Sequence, residues 1–355
     1  MKQILGLLVL ALAVWGAVAL FGGRPTTVAT AVSHSSSQNC AACHAGVYEE
    51  WQSGPHADSW TGAAVRKLSE NFSNQDCIDC HAPQPVFVTG IGQRVLPRTA
   101  RRAEGVDCIA CHALPDGRVA GSFTSDSVAC LPTETVDLSR PEFCAGCHDQ
   151  HQTVQQWKAS RWANEGVSCI DCHMPWRDGT PGSGRHHGMH GGTDLAMLRR
   201  AVELTAVLAT RADGVEGWRV SVENVGAGHS FPTDERSRAA DVFWRPLDEP
   251  QGPWRHLYRF RSPYRFEAGI ADTLLAAHEK RSFDVEEEVD GVRLAVTEPI
   301  EVVLLYKRSP HYRSFADPFA DLLPTDPAID PYASDVPRDA VVVHRLVLGS
   351  DEEAR

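Results

Sequence analysis

The sequence predicts an α+β chain. A mostly helical and irregular N-terminal part is followed by a C-terminal antiparallel β-sandwich. Three observations carry this. Ten of eleven cysteines fall between residues 40 and 172 in five short motifs. A glycine-rich stretch, Gly179–Gly184, then closes the cysteine-dense part. Beyond it the apolar residues recur with period two, between clusters of Pro, Gly and Asp, as half-buried strands require.

The chain begins with Lys2 and an uncharged run from Ile4 to Phe21. A charged n-region before an apolar h-region is the pattern of a secretory signal, with Ala17-Val18-Ala19 and Ala29-Thr30-Ala31 as cleavage sites. The run is long for a signal and close to what a helix needs to span a bilayer, so an uncleaved anchor is the alternative reading. Residues 1–31 are therefore assigned to a signal peptide or anchor. Residues 32–355 are assigned to an exported, periplasmic compartment, tethered to the cytoplasmic membrane if the segment stays. With 355 residues and a net charge of −12, the chain holds about two domains, and nucleic acid is an unlikely partner.

The five motifs are Cys40-Cys43-His44, Cys77-Cys80-His81, Cys108-Cys111-His112, Cys144-Cys147-His148 and Cys169-Cys172-His173, each a C-x-x-C-H pentapeptide. With eleven Cys and sixteen His, chance supplies about 0.015 such pentapeptides. The pattern reads as attachment of haem c. Two thiols a helical turn apart bond the porphyrin's two vinyl groups, and the next residue offers imidazole to the iron. Zinc ribbons have no reason to place His after every pair, a thioredoxin-like dithiol occurs once, and an exported disulfide framework does not predict the His. Five haem c groups are expected, with the ten cysteines as thioether donors and His44, His81, His112, His148 and His173 as proximal iron ligands. Cys130 is left over and reads as a free thiol.

At one motif per thirty residues or so, residues 32–194 lack the sequence to build a core from side chains alone, and the haems become the core. Within this part runs a repeat. Trp51 to Asp58 follows the first motif and Trp157 to Asn164 the fourth, both reading W-x4-[HW]-A-[DN]; Gly105-Val106 precedes the third motif and Gly166-Val167 the fifth. The second copy has Trp162 where the first has His56.

Low-spin electron-transfer haems need a second axial ligand. His56, beside Trp51, is the first distal candidate. His187 is favoured within His186-His187-Gly188-Met189-His190, where glycine lets the backbone approach a haem face. His229, in a Gly-x-Gly-His-Ser-Phe-Pro turn after an alternating strand, would be lent by the β-domain. His151 follows His148 closely, and His34 is weaker.

Asp194 caps an expected helix over Leu195–Leu204. Residues 195–355 then form the β-domain. Trp218–Val222 and parts of Arg281–Glu287 alternate, and Val302–Tyr306 and Val341–Val343 read as buried strands.

Taken together, the residues resemble multihaem c-type cytochromes of the cytochrome c-554 type. The likeness runs over about residues 39–194. It rests on Cys40–His44 followed by Tyr48, Trp51, Ser53 and His56, on Gly105-Val106 before Cys108, on Gly166-Val167 before Cys169–Pro175, and on His187-x-Met189-x-Gly191-Gly192. The resemblance implies closely packed, mostly bis-His haems that pass electrons in an exported compartment. Redox protein partners, a donor and an acceptor, are expected, with a membrane anchor or a membrane-bound quinol-oxidising partner as the link to the membrane. The chain departs from it in carrying five motifs rather than four, and in its β-domain. An exported pentahaem electron relay is the first functional expectation. A multihaem oxidoreductase with one open iron acting on a small nitrogen or sulfur compound is the alternative, with Trp162 as the lost imidazole. Assembly of chains into oligomers is a third.

Overall fold

The structure, a computed structural model, describes residues 35–233, 238–250, 252–263, 269, 271–307 and 340–349. The N-terminal apolar run and His34 lie outside these residues, as does the side chain of His151. Among the described residues, no helix is long and apolar enough to cross a membrane.

From residue 35 to 194 the chain forms short helices joined by loops, the longest being Ala45–Gln52 and Pro141–His148 at 8 residues each. Helices of this length are marginal by themselves, so their packing must hold them. Two strands, β1 (Val119–Gly121) and β2 (Pro132–Glu134), pair in parallel beside Cys130, which is half-buried and free. The glycine-rich stretch forms a closed loop. Arg177 N donates to Gly184 O at 3.0 Å, a bridge joins Trp176 to Arg185, and Arg177 forks onto Glu50 at 2.8 and 3.0 Å. Residues 186–190 are thereby returned to the cysteine-rich part.

The helix after Asp194 runs from Leu195 to Ala201, capped by the Asp194 carboxylate accepting Met197 N at 3.0 Å. It stops short of the expected Leu204 because Val202 enters β3 (Val202–Thr210), where Leu204 faces Val222 across the ladder. The β-branched Val202 gains a strand partner where a helix would restrict its rotamers.

β4 (Glu216–Asn224) pairs antiparallel with β3 on one side and, on the other, with β7 (Lys280–Asp284). A second antiparallel sheet has the order β11-β10-β5-β6, built from β5 (Ala239–Pro246), β6 (Arg255–Phe260), β10 (Ile300–Lys307) and β11 (Ala340–Leu348). A small hairpin, β8 (Glu286–Val289) with β9 (Val292–Ala295), stands apart.

Alternation decides which face is inside. Trp218, Val220 and Val222 of β4 meet Val242 and Trp244 of β5 and Val302 and Leu304 of β10 in one apolar cluster. On the opposite face of β4, Arg219 pairs with Asp284 and Ser221 with Ser282. β10 is buried along its whole length, as its continuous apolar run requires. Its outer face carries Glu301 between Arg245 and Arg345, and Asp241 of β5 sits between Arg259 and Lys307. The chain is thus α+β, with a helical and irregular first part and an antiparallel β-sheet region after it.

Candidate haem-binding centre

Four motifs lie on helices: Asp76–His81, Cys108–His112, Pro141–His148 and Cys169–His173. The first straddles a break between Gln38–Ala41 and Ala45–Gln52. Residues i and i+3 share a helix face, so both sulfurs of a motif point the same way. Local sequence starts two of these helices. Asp107 Oδ1 accepts Ala110 N at 2.8 Å, and Ser168 forms a capping box with Asp171.

The repeat is a repeat of hydrogen bonds. Trp51 Nε1 donates to Val106 O at 2.8 Å, and Trp157 Nε1 to Val167 O at 3.0 Å. Val106 N donates to His56 O, and Val167 N to Trp162 O, both at 2.9 Å. His56 and Trp162 therefore occupy one structural position. The preceding glycines serve one purpose too: Gly105 and Gly166 have φ of +58° and +75°, which a side chain disfavours.

Three pairs of imidazoles face each other. His56 stands 6.1 Å from His148 between ring centres, His112 6.2 Å from His187, and His173 6.2 Å from His229. Each pair joins a motif histidine to a distal candidate from elsewhere in the chain. This spacing tests whether haem fits. A metal–imidazole nitrogen bond is about 2.0 Å and the ring centre lies about 1 Å beyond the nitrogen, so one metal ion between two axial imidazoles puts their centres about 6 Å apart. Stacked rings without a metal would approach closer, as His186 and His190 do at 4.8 Å. The residues fit the group.

Second contacts agree with it. A ligating imidazole offers Nε2 when its Nδ1 hydrogen bonds elsewhere. Nδ1 of His112 is 2.8 Å from Ala120 O, that of His173 2.5 Å from His190 O, and that of His81 2.6 Å from Ser59 O. On the distal side, Nδ1 of His187 is 2.8 Å from Arg185 O, and Nδ1 of His229 3.0 Å from Ser230 O. Burial pushes the pKa of His56 down to about 3, and those of His187 and His229 to about 4, with the facing imidazole adding to it. All three are held in the neutral form that binds iron.

None of the eleven cysteines is in a disulfide. Thiols of different motifs are near enough to shift one another's pKa: Cys40 and Cys108, Cys80 and Cys147, and Cys144 and Cys169. Cys111 joins Cys80 and Cys147 around Val86, Val95 and Phe143. The first motif thus neighbours the third, the third neighbours the second and fourth, the second neighbours the fourth, and the fourth neighbours the fifth. Cys43 and Cys172 are exposed, at opposite ends of that series.

Among the described residues, His44 and His81 are in none of the three imidazole pairs spaced at 6.1–6.2 Å. Trp162 packs across to the β-region, with Gly228 beneath it and His278 at 6.3 Å. Sequence reasoning passed over Gln156, Asn224 and the carbonyls that receive the histidine Nδ1 protons; no motif marks them.

Residues 39–113 match the family model described as cytochrome c554 and c-prime, and residues 117–186 match that of the NapC/NirT cytochrome c family, N-terminal region. No curated protein matches the chain. A crystal structure of a penta-heme cytochrome c552 from Thermochromatium tepidum is similar at a TM-score of 0.58 and 19% identity, covering 87% of this chain and 97% of that one. At that identity the likeness shows the fold. The two family matches, with this fold, support a multihaem c-type cytochrome carrying covalently bound haem c, and with it a role in electron transfer.

Proposed function

We propose that this multihaem c-type cytochrome is an exported pentahaem relay that passes electrons between redox protein partners. The observation that carries it is the set of three imidazole pairs at 6.1–6.2 Å. Haem c, when bound, supplies one-electron chemistry at its iron, with a potential tuned by axial ligands and burial.

The chain's own residues supply the rest. The ten motif cysteines hold the five groups covalently. His44, His81, His112, His148 and His173 are the proximal ligands. His56 serves the fourth motif, His187 the third and His229 the fifth, each as a neutral imidazole. Two ligands of fixed orientation exclude water and exogenous molecules from these irons, as a carrier requires. The nearness of thiols from different motifs supports short steps from site to site, and exposed Cys43 and Cys172 support the first and fifth motifs as points of entry and exit. The Lys2–Phe21 segment supports export, with a membrane-bound quinol-oxidising partner as donor if it remains as an anchor.

Five haems per chain, and at least three low-spin ferric centres by EPR on the oxidised protein, are the expected result. Fewer than five haems, or fewer than three low-spin centres, overturns the proposal. A second reading, a multihaem oxidoreductase, is favoured by one observation: among the described residues, His44 and His81 face no second imidazole across a gap of about 6 Å. A high-spin centre that changes on adding nitrite or hydroxylamine would select it.

A further inference from the structure

We propose that Gln156, Trp157 and Trp162, with Gly228 facing them, are positioning residues that clamp the β-region's His229 against the iron site of the fifth motif. This rests on the reading of His229 as a ligand and goes beyond it. It makes ligation of one particular haem depend on how the two regions are seated.

The turn that carries His229 is fixed from two sides. From the β-region, Asn224 is fully buried and braces it from within. Its Oδ1 accepts Ala227 N at 3.1 Å, while its Nδ2 donates to His229 O at 2.9 Å and Leu275 O at 3.2 Å. From the cysteine-rich region, Gln156 Oε1 accepts Ser230 N at 2.9 Å. The backbone of His229 is thus held on its carbonyl by one region and at the next amide by the other.

The tryptophans set the approach. A Cβ on Gly228 would lie 2.9 Å from Trp157 Cδ1 and 3.3 Å from Trp162 Cδ1, so glycine lets the turn come down onto both rings. Arg161 completes the seam, its Nη2 donating to Val225 O and its N to His278 Nε2, both at 3.2 Å. Trp162 is the residue that replaces histidine in the repeat. Where the first copy sends out an imidazole, the second presents a flat ring on which a turn from elsewhere rests.

Metal–ligand bonds tolerate little displacement, so loosening the clamp should free the sixth position of the fifth-motif haem and leave the other irons alone. The test uses the full-length holoprotein, its haem content and ferric EPR, with added imidazole as the probe. His229→Ala tests the underlying reading and should convert one haem to high-spin. Gly228→Val should produce the same high-spin signal and admit imidazole at that site. Gln156→Ala should raise the unligated share of His229 about fivefold, the effect of one lost hydrogen bond, and Gln156→Glu, which keeps the acceptor, should restore the wild-type signal. If His229→Ala changes nothing, the ligand assignment fails. If His229→Ala becomes high-spin while Gly228→Val and Gln156→Ala keep the wild-type spectrum, the clamp is overturned. Should Gly228→Val not load its full haem complement, the Gln156 pair decides alone.

Discussion

Among the described residues before 195, the two clusters of buried apolar side chains hold three each, Phe72, Ile78 and Ala82 in one and Val86, Val95 and Phe143 in the other, while Trp51, Ile109 and Val154 are buried outside both. After residue 195 a single cluster takes in twenty. The β-region buries its strands against each other in that cluster. The cysteine-rich region spends its apolar residues lining spaces between short helices, and its imidazoles face each other at the distance an iron would fill. One half of the molecule is held by side chains, the other by the groups its side chains hold.

The largest expected effect comes from denying haem. Chain produced without thioether formation should leave residues 35–194 open to limited proteolysis, while the β-region keeps a cooperative unfolding transition. Protection of the cysteine-rich region without haem would abolish the contrast. The converse change is Leu304→Ala in the fully buried centre of β10. It should cost about 4 kcal/mol in denaturant unfolding of the β-region, with the haem spectrum unmoved.

The buried carboxylate of Asp241 tests the β-region through charge. Burial pushes its pKa up, but Arg259 and Lys307 outweigh burial and hold it well below the ordinary carboxylate range. As pH falls, the folded state therefore binds this proton later than the unfolded chain does. The stability it supplies is intact above about pH 4 and is lost as pH falls below that. Asp241→Asn should destabilise the β-region by about 3 kcal/mol at neutral pH and flatten that acid dependence, measured by unfolding at a series of pH values. The smallest effect belongs to the repeat. Trp51→Phe and Trp157→Phe each lose one bond, to Val106 O and Val167 O, and each should cost about 1 kcal/mol in thermal unfolding of the holoprotein. Unequal costs would show that the two copies no longer do the same work.

Much of this was legible in the sequence because the chemistry is local. A cysteine, its partner three residues on and the histidine after it are neighbours within five residues, so five motifs could be read without a fold. Period-two patterning likewise exposed β4, and a continuous apolar run exposed β10. The repeat could be read as letters, though only the structure turns Trp51 and Trp157 into donors to equivalent valines. The pairing of imidazoles was not legible. His56 sits twelve residues after His44 yet faces His148, and His229 crosses from the other region to face His173. Spacing along a chain records neighbours in sequence, and these contacts span nearly a hundred residues or half of that. Leu195–Leu204 shows the same limit in reverse, where a helical spacing yielded at Val202 to a strand partner that only tertiary structure supplies.

The position shared by His56 and Trp162 has one more consequence. In the first copy it reaches forward to His148, in the motif just ahead of the second copy, so one copy of the repeat is completed by the other. The second copy presents Trp162 and passes on no imidazole; His173, in the motif that follows it, is met instead by His229 of the β-region. Trp162 thus turns a linkage into a seat, and the repeat ends where the β-region rests on it.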